Sequence, residues 1–101
     1  MSNRADLNDL FEKILGSTNV YFQPPSTIKL KYPCILYSLD NIDVQYGDNR
    51  AYQKTNRYQV TLMDKNPDSP YRERIMDIPM WTYQRHFASD NLNHDVFNLY
   101  F

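Results

Sequence analysis

The sequence predicts a small α+β domain in which an antiparallel or mixed β-sheet carries two helices on one face. The length of 101 residues leaves room for one domain, spanning residues 1–101. A hydrophobic fraction of 42 % with 23 % charged residues is ordinary for a globular protein. Two segments repeat their apolar residues at the helical period, while the others alternate or form short apolar runs joined by tight connections, as strands do.

The first element is a helix with one apolar stripe at period 3.6. Asn3 is a suitable N-cap with Asp6 three residues further on, and Gly16 is placed to end the helix. A single helix of this length is not stable alone, so the stripe is expected to pack on a sheet. The stripe consists of Leu7, Leu10, Phe11, Ile14 and Leu15.

Two short strands follow, at residues 20–23 and 34–37. Pro24 and Pro25 close the first, because proline cannot continue a central strand. The second is apolar at both alternating positions, which is typical of a buried strand. Residues 40–56 are rich in Asn, Asp and Gln and contain a turn signal at 46–49, so we expect a long loop with a functional or mobile role.

The clearest alternation lies at residues 57–63, where Tyr58, Val60 and Leu62 share one face of a strand. Ser69 is the predicted N-cap of a second helix, with Pro70 as its first residue. The apolar face of this helix consists of Tyr71, Ile75 and Ile78, and Pro79 ends it.

Two aromatic strands complete the predicted order α-β-β-loop-β-α-β-β. In the first, Trp81, Tyr83 and Phe87 are expected to face the core. The turn between these two strands is expected at Asp90 and Asn91, and we expect it to extend to Asn93. The last strand, 95–101, places Phe97, Leu99 and Phe101 on one face.

The charge balance argues against a protein that binds nucleic acid mainly through phosphate contacts, because eleven basic and twelve acidic residues leave a net charge of −1. Cys34 is the single cysteine, so no internal disulfide is expected. Neither a secretory signal nor a membrane-spanning apolar run is present, and we expect a soluble protein that folds in a cytoplasm.

No catalytic, cofactor-binding or metal site is predicted. Cys34 lies in an apolar strand and is interpreted as a buried structural thiol. His86 and His94, with Asp90 and Asp95 near them, offer the alternative of a metal site, but their spacing matches no metal motif. The sequence therefore favours a protein that is not an enzyme.

Two outward features remain, the polar segment 40–56 and the aromatic C-terminus. Nine tyrosines, each apolar in the ring and polar at the tip, are compatible with a contact surface, although packing in a β-rich domain explains them equally well. The residues predicted to contact another subunit or partner are Tyr46, Asp48, Asn49, Arg50, Tyr52, Tyr100 and Phe101.

Short motifs along nearly the whole chain resemble the tail-terminator or head–tail joining proteins of tailed bacteriophages, which are also labelled tail-completion or minor capsid proteins. The motifs are VYFQPP (20–25), KYPCILY (31–37), YGDN (46–49) with Tyr52, YQVT (58–61), NPDS (66–69) and HFASDNLNHD (86–95).

The resemblance implies an α+β subunit of a homo-oligomeric ring, with a hexamer favoured. Such a ring caps the tail tube at its head-proximal end and joins it to a neck or head-completion protein. DNA would pass through the lumen without specific binding, and neither a membrane nor a cofactor is involved. The expected location is the neck of the virion, after assembly in the host cytoplasm.

Two alternatives stay open. Within virion assembly, the chain is a head-completion or adaptor protein of the neck. In a different class, it is a small cytoplasmic nucleic-acid-binding regulatory module, which predicts salt-dependent affinity for DNA.

Overall fold

The computed structural model describes residues 4–48 and 50–101, without the side chains of Ala51 and Tyr52. Its elements are α1 (Arg4–Leu15), β1 (Val20–Phe22), β2 (Cys34–Gly47), β3 (Arg50–Asp64), α2 (Pro70–Met76), β4 (Trp81–Ser89) and β5 (Leu92–Tyr100). One five-stranded sheet has the order β1-β2-β3-β5-β4. β1 runs parallel to β2 and the other neighbours are antiparallel, so the predicted α+β class is confirmed with a mixed sheet.

One apolar core joins both helices to the same side of the sheet, here called the helix face. From the helices it contains Leu7, Phe11, Ile14, Leu15 and Ile75, with Ile78 just beyond α2. From the strands it contains Ile35, Tyr37, Tyr58, Val60, Leu62, Phe97 and Leu99. The register places these strand residues side by side, since Val60 lies opposite both Tyr37 and Phe97.

Two local signals at the helix ends, Gly16 and Ser69, act as predicted, but α2 ends at Met76 and Ile78 lies outside the helix, earlier than the predicted end at Pro79. Gly16 has a φ of 70°, a conformation that glycine adopts without a Cβ penalty, and its amide donates to Glu12 O over 2.8 Å. Ser69 caps α2, because its Oγ accepts from the Tyr71 amide at 3.3 Å. The predicted N-cap Asn3 lies outside the described residues.

The prediction of a loop at residues 40–56 is wrong. β2 and β3 pair from Cys34 opposite Met63 to Gly47 opposite Arg50, so this segment is the outer part of one long antiparallel hairpin. β5 pairs with β3 only up to Arg57, so the outer hairpin projects beyond the body of the sheet. Residues 40–56 are called the arm below. The arm accounts for the elongated shape, with extents of 51 × 24 × 23 Å.

Phe87 does not face the core, contrary to the prediction. The β4–β5 register shifts between Tyr83 and Arg85, and this bulge moves every later side chain of β4 to the opposite side. Tyr83 lies opposite Phe97 on the helix face, whereas Phe87 lies opposite His94 on the far face, where the two rings stack with centroids 4.4 Å apart.

The turn between β4 and β5 is tighter than predicted. Asp90 and Asn91 have φ values of 53° and 63°, as a two-residue type I′ turn requires. β5 therefore begins at Leu92, and Asn93 is a strand residue opposite Asp64 rather than part of the turn. No helix in the described part of the chain is long and apolar enough to cross a membrane.

Candidate functional site

The arm, together with Leu39 just before it, carries a largely exposed row of apolar side chains on the continuation of the helix face. This row, Leu39, Ile42, Val44 and Tyr46, is called the apolar stripe. Leu39, Ile42 and Tyr46 are 43, 46 and 69 % exposed, and Val44 is half-buried. Ile42 lies opposite Asn56, and Asn56 is two residues from the core residue Tyr58, which places the stripe on the side of the core.

A β-bulge keeps the stripe on one face. Leu39 lies opposite Tyr58, but the next aligned pair is Asn41 with Arg57, so Asp40 is the extra residue. Without it, Ile42 would point away from the face that Leu39 occupies, because side chains alternate along a strand. Arg57 Nε pairs with Asp40 Oδ2 at 2.9 Å beside the bulge.

Both edges of the arm are open within the described chain. β1 covers the outer edge of β2 only as far as Tyr37, and β5 covers β3 only as far as Arg57. Beyond those residues neither edge has a neighbouring strand. The edge contacts there are single bonds near the base, where the Leu39 amide donates to Gln23 Oε1 over 3.2 Å and Asn56 O accepts from the Phe101 amide. An apolar stripe between two open edges is typical of a surface that another polypeptide covers.

The predicted contact residues fall at the two ends of the arm. Tyr46, Asp48 and Arg50 are exposed at its tip. Asn49 lies outside the described residues, as does the side chain of Tyr52. Tyr100 and Phe101 lie at the base, where the Phe101 amide donates to Asn56 O over 3.0 Å.

At the base of the arm a mainly apolar cleft of about 450 Å³ opens between the C-terminal halves of both helices and the end of β5. The Arg74 guanidinium closes one side of it and donates to Ile14 O at 2.9 Å. The lining residues are Leu10, Ile14, Arg74, Asp77, Ile78, Pro79, Met80, Tyr100 and Phe101.

Met80 lines the cleft and is 68 % exposed. Its φ of 66° lies in the left-handed region, which a residue with a Cβ adopts at a cost of ~1 kcal/mol. Its carbonyl accepts from the Tyr100 amide over 2.9 Å, which holds this conformation against β5. The strained backbone presents a flexible apolar side chain to solvent.

Sequence reasoning missed most of this surface. Ile42, Val44 and Tyr46 do alternate in the sequence, and that signal was available within the polar segment. The cleft gave no comparable signal, because residues of its lining such as Leu10, Ile78 and Tyr100 come from three separate parts of the chain that only the fold brings together.

A second group of polar residues lies at the junction of α2, β4 and β5, around the buried Asp95. One carboxylate oxygen accepts from Tyr83 Oη at 2.7 Å and lies 2.7 Å from His86 Nδ1. The other lies 3.0 Å from Arg72 Nε. The Asp95 side chain is only 2 % exposed, so these three partners replace its lost hydration.

The cluster sets the proton affinity of its members. Burial alone would raise the pKa of Asp95. Hydrogen bonding with His86 and Tyr83 and the ion pair with Arg72 lower the pKa by more than burial raises it, so the pKa lies below its ordinary value. Burial, together with the bond to the Asp95 carboxylate, raises the pKa of Tyr83 to about 12. At neutral pH the carboxylate is charged and the phenol keeps its proton.

The metal-site alternative does not match the geometry of its residues. His86 lies beside Asp95 on the helix face, whereas His94 lies on the far face beneath Phe87. Nowhere in residues 4–48 and 50–101 do three His, Cys, Asp or Glu side chains form a metal-binding group. Cys34 is fully buried, as predicted, and burial raises its pKa to about 12, so the thiol stays protonated at neutral pH.

No protein-family model matches the chain, and no curated protein matches it significantly.

Proposed function

We propose that this protein is a structural assembly subunit that binds its neighbours through the arm. The observation that carries the proposal is the apolar stripe, which the fold holds on a projecting hairpin away from the core. Ile42 and Tyr46 are 46 and 69 % exposed at positions that in the body of the same strand are buried. Such a surface is stable in water chiefly when another polypeptide covers it.

More specifically, we propose a ring-forming tail terminator that caps the tail tube of a bacteriophage and joins it to the neck. The motif resemblance along the chain supports this role. An arm at one end of an elongated subunit suits a ring, in which each subunit must reach the next while two axial faces stay free for other partners. The net charge of −1 is compatible with a lumen through which DNA slides.

Assembly is tested with the wild-type protein and an arm variant. Asp43 and Thr55 lie opposite each other in the hairpin, so replacing residues 44–54 by Asn-Gly closes a two-residue turn between them. The matched control is Gln53→Ser, an exposed position on the polar face of the arm. Light scattering across concentration and negative-stain imaging report the assembly state.

We expect rings near six times the 12.1 kDa subunit, about 70 kDa, for the wild type and the control. The Asn-Gly variant is expected to stay monomeric with an unchanged circular dichroism spectrum of the body. Rings formed equally well by that variant would overturn the role of the arm.

The virion role is tested separately, by adding the protein to tail tubes assembled from the tube protein of the same genome. Binding at one tube end and arrest of elongation are expected. Binding of the free protein to DNA that falls steeply with salt, without an effect on tubes, would instead support the regulatory module.

A further inference from the structure

We propose that the apolar stripe of the arm docks into the cleft of a second copy of this chain. The inference rests on the proposed function, since it assigns the two surfaces that meet when the subunits assemble. The contact is head-to-tail, because the arm of one subunit fills the cleft of the next.

The arm of a chain does not reach the cleft of that same chain. The cleft lies at the base, where Phe101 bonds to Asn56. Ile42 lies opposite Asn56, and Tyr46 lies four residues further along β2. At about 3.4 Å per residue the tip of the stripe lies roughly 14 Å beyond the base. A straight hairpin cannot fold back over that distance, so both apolar surfaces stay uncovered in one chain.

The two surfaces match in size and chemistry. The stripe offers three branched aliphatic side chains and a tyrosine on a narrow two-stranded support. The cleft, at about 450 Å³, lies within the range of roughly 300–1,000 Å³ over which concave sites enclose a compact ligand. Met80 lies at its rim, and an unbranched thioether adapts its shape to an incoming side chain.

The charges next to the two surfaces are complementary. Lys54 lies opposite Val44 on the arm, and Asp48 lies at the tip. The cleft supplies Asp77 and Arg74. Within the described part of the chain neither Lys54 nor Asp77 takes part in an ion pair. Docking therefore places a free cation near a free carboxylate at the rim, where such pairs select the partner and its orientation.

A contact between two different surfaces repeats from subunit to subunit. Its rotation either closes the chain of subunits into a ring or extends it as a filament. The arm-to-cleft contact thus provides the repeating interface of a ring, and it leaves β4, an open edge of the sheet, outside the contact.

The test pairs two variants that each damage one surface. Tyr46→Ser removes the aromatic side chain from the arm. Met80→Asp puts a charge into the cleft and suits the left-handed φ of that position better than most residues. Both positions are exposed, so each variant should keep the circular dichroism spectrum and denaturation midpoint of the wild type. Gln53→Ser is the control.

Sedimentation velocity then measures self-association. We expect each variant alone to weaken it by about thirtyfold, the effect of losing a central interface residue. Mixed together, the two variants keep one intact arm and one intact cleft. They should form a 1:1 heterodimer of two 12.1 kDa chains, about 24 kDa, and nothing larger.

Absence of the heterodimer, or normal self-association of Met80→Asp, would overturn the inference. If Tyr46→Ser alone disrupts assembly, the stripes meet each other and the cleft is not the partner. In either case wild-type rings and capped tubes would leave the proposed function standing. A wild type that stays monomeric at every concentration overturns the arm-to-cleft contact, and the tube-end assay then decides the function independently.

Discussion

The inner and outer halves of the β2–β3 hairpin have the same secondary structure but different surroundings. In the inner half, Ile35 and Val60 are fully buried beneath the helices. In the outer half, Ile42 and Tyr46 occupy the same face of the same pair of strands and are exposed. Backbone hydrogen bonds between the two strands continue through both halves, but only the body also has helices that cover its apolar face.

The two halves should also differ in local stability. A two-stranded ribbon is marginal in water unless a third strand or a helix packs on it, and the arm has neither. Surfaces that order on binding are drawn from such regions of low stability. Four predictions test this contrast, in order of the expected effect.

The largest effect is expected from deleting residues 99–101, which removes the end of β5 from the body. Leu99 is fully buried between Tyr58 and Trp81, so its loss leaves a core cavity and an uncovered strand. We expect loss of cooperative urea unfolding. Replacing the eleven arm residues 44–54 by Asn-Gly is the matched deletion and should keep it. A truncated chain with native circular dichroism and a cooperative transition would contradict the prediction.

Removing the buried carboxylate should cost much more than removing an exposed one. Asp95→Ala removes the ion-pair partner of Arg72 and the acceptor of Tyr83, and it should lower the free energy of unfolding by ~3 kcal/mol. Asp43→Ala removes an exposed arm carboxylate bonded to Asn41 and should change it by less than ~0.5 kcal/mol. Denaturant titration measures both, and equal effects would remove the contrast.

The body should lose stability in acid because of Asp95. Its folded pKa lies below its unfolded value, so the folded state binds fewer protons between the two. This contribution to stability is fully present above the unfolded pKa, about 3.9, and is lost as the pH falls through the folded pKa. Asp95→Asn should flatten that part of the curve of unfolding free energy against pH. An unchanged slope below pH 4 would refute the assignment.

The smallest effect is expected from Tyr83→Phe, which deletes one hydrogen bond to Asp95 and keeps the ring against Phe97. The free energy of unfolding should fall by ~1.5 kcal/mol, the lower end of the net value of a hydrogen bond to a charged group. Thermal and urea unfolding give the value. A loss of 3 kcal/mol or more would mean that the hydroxyl is essential to the whole cluster.

Sequence periodicity predicted an element best where one side of that element packs against the core. The stripe of α1, the cap at Ser69 and the alternation of Tyr58, Val60 and Leu62 each predicted the observed element. It failed at two of the three register shifts in the described strands, those that follow Leu39 and Tyr83. A bulge adds one residue to one strand, so the face of every later side chain depends on the partner strand.

Only part of the candidate surface could be predicted, because the rest depends on residues that strand pairing and packing bring together. Tyr46, Asp48 and Arg50 were expected to contact a partner and lie at the arm tip, but the stripe behind them was hidden by its polar neighbours. Tyr100 and Phe101 were expected at a contact because an apolar chain end needs cover. Their cleft depends on residues such as Ile14 and Met80, which are distant in the sequence.

The sequence alone specifies the α+β class, the two helices, their end signals at Gly16 and Ser69, and most of the apolar core, because period and capping are local properties of the chain. Tertiary structure decided that residues 40–56 form an arm, that Phe87 faces away from the core and that Asp95 binds three partners. These features depend on strand register and on which elements pack together, and no local pattern encodes either.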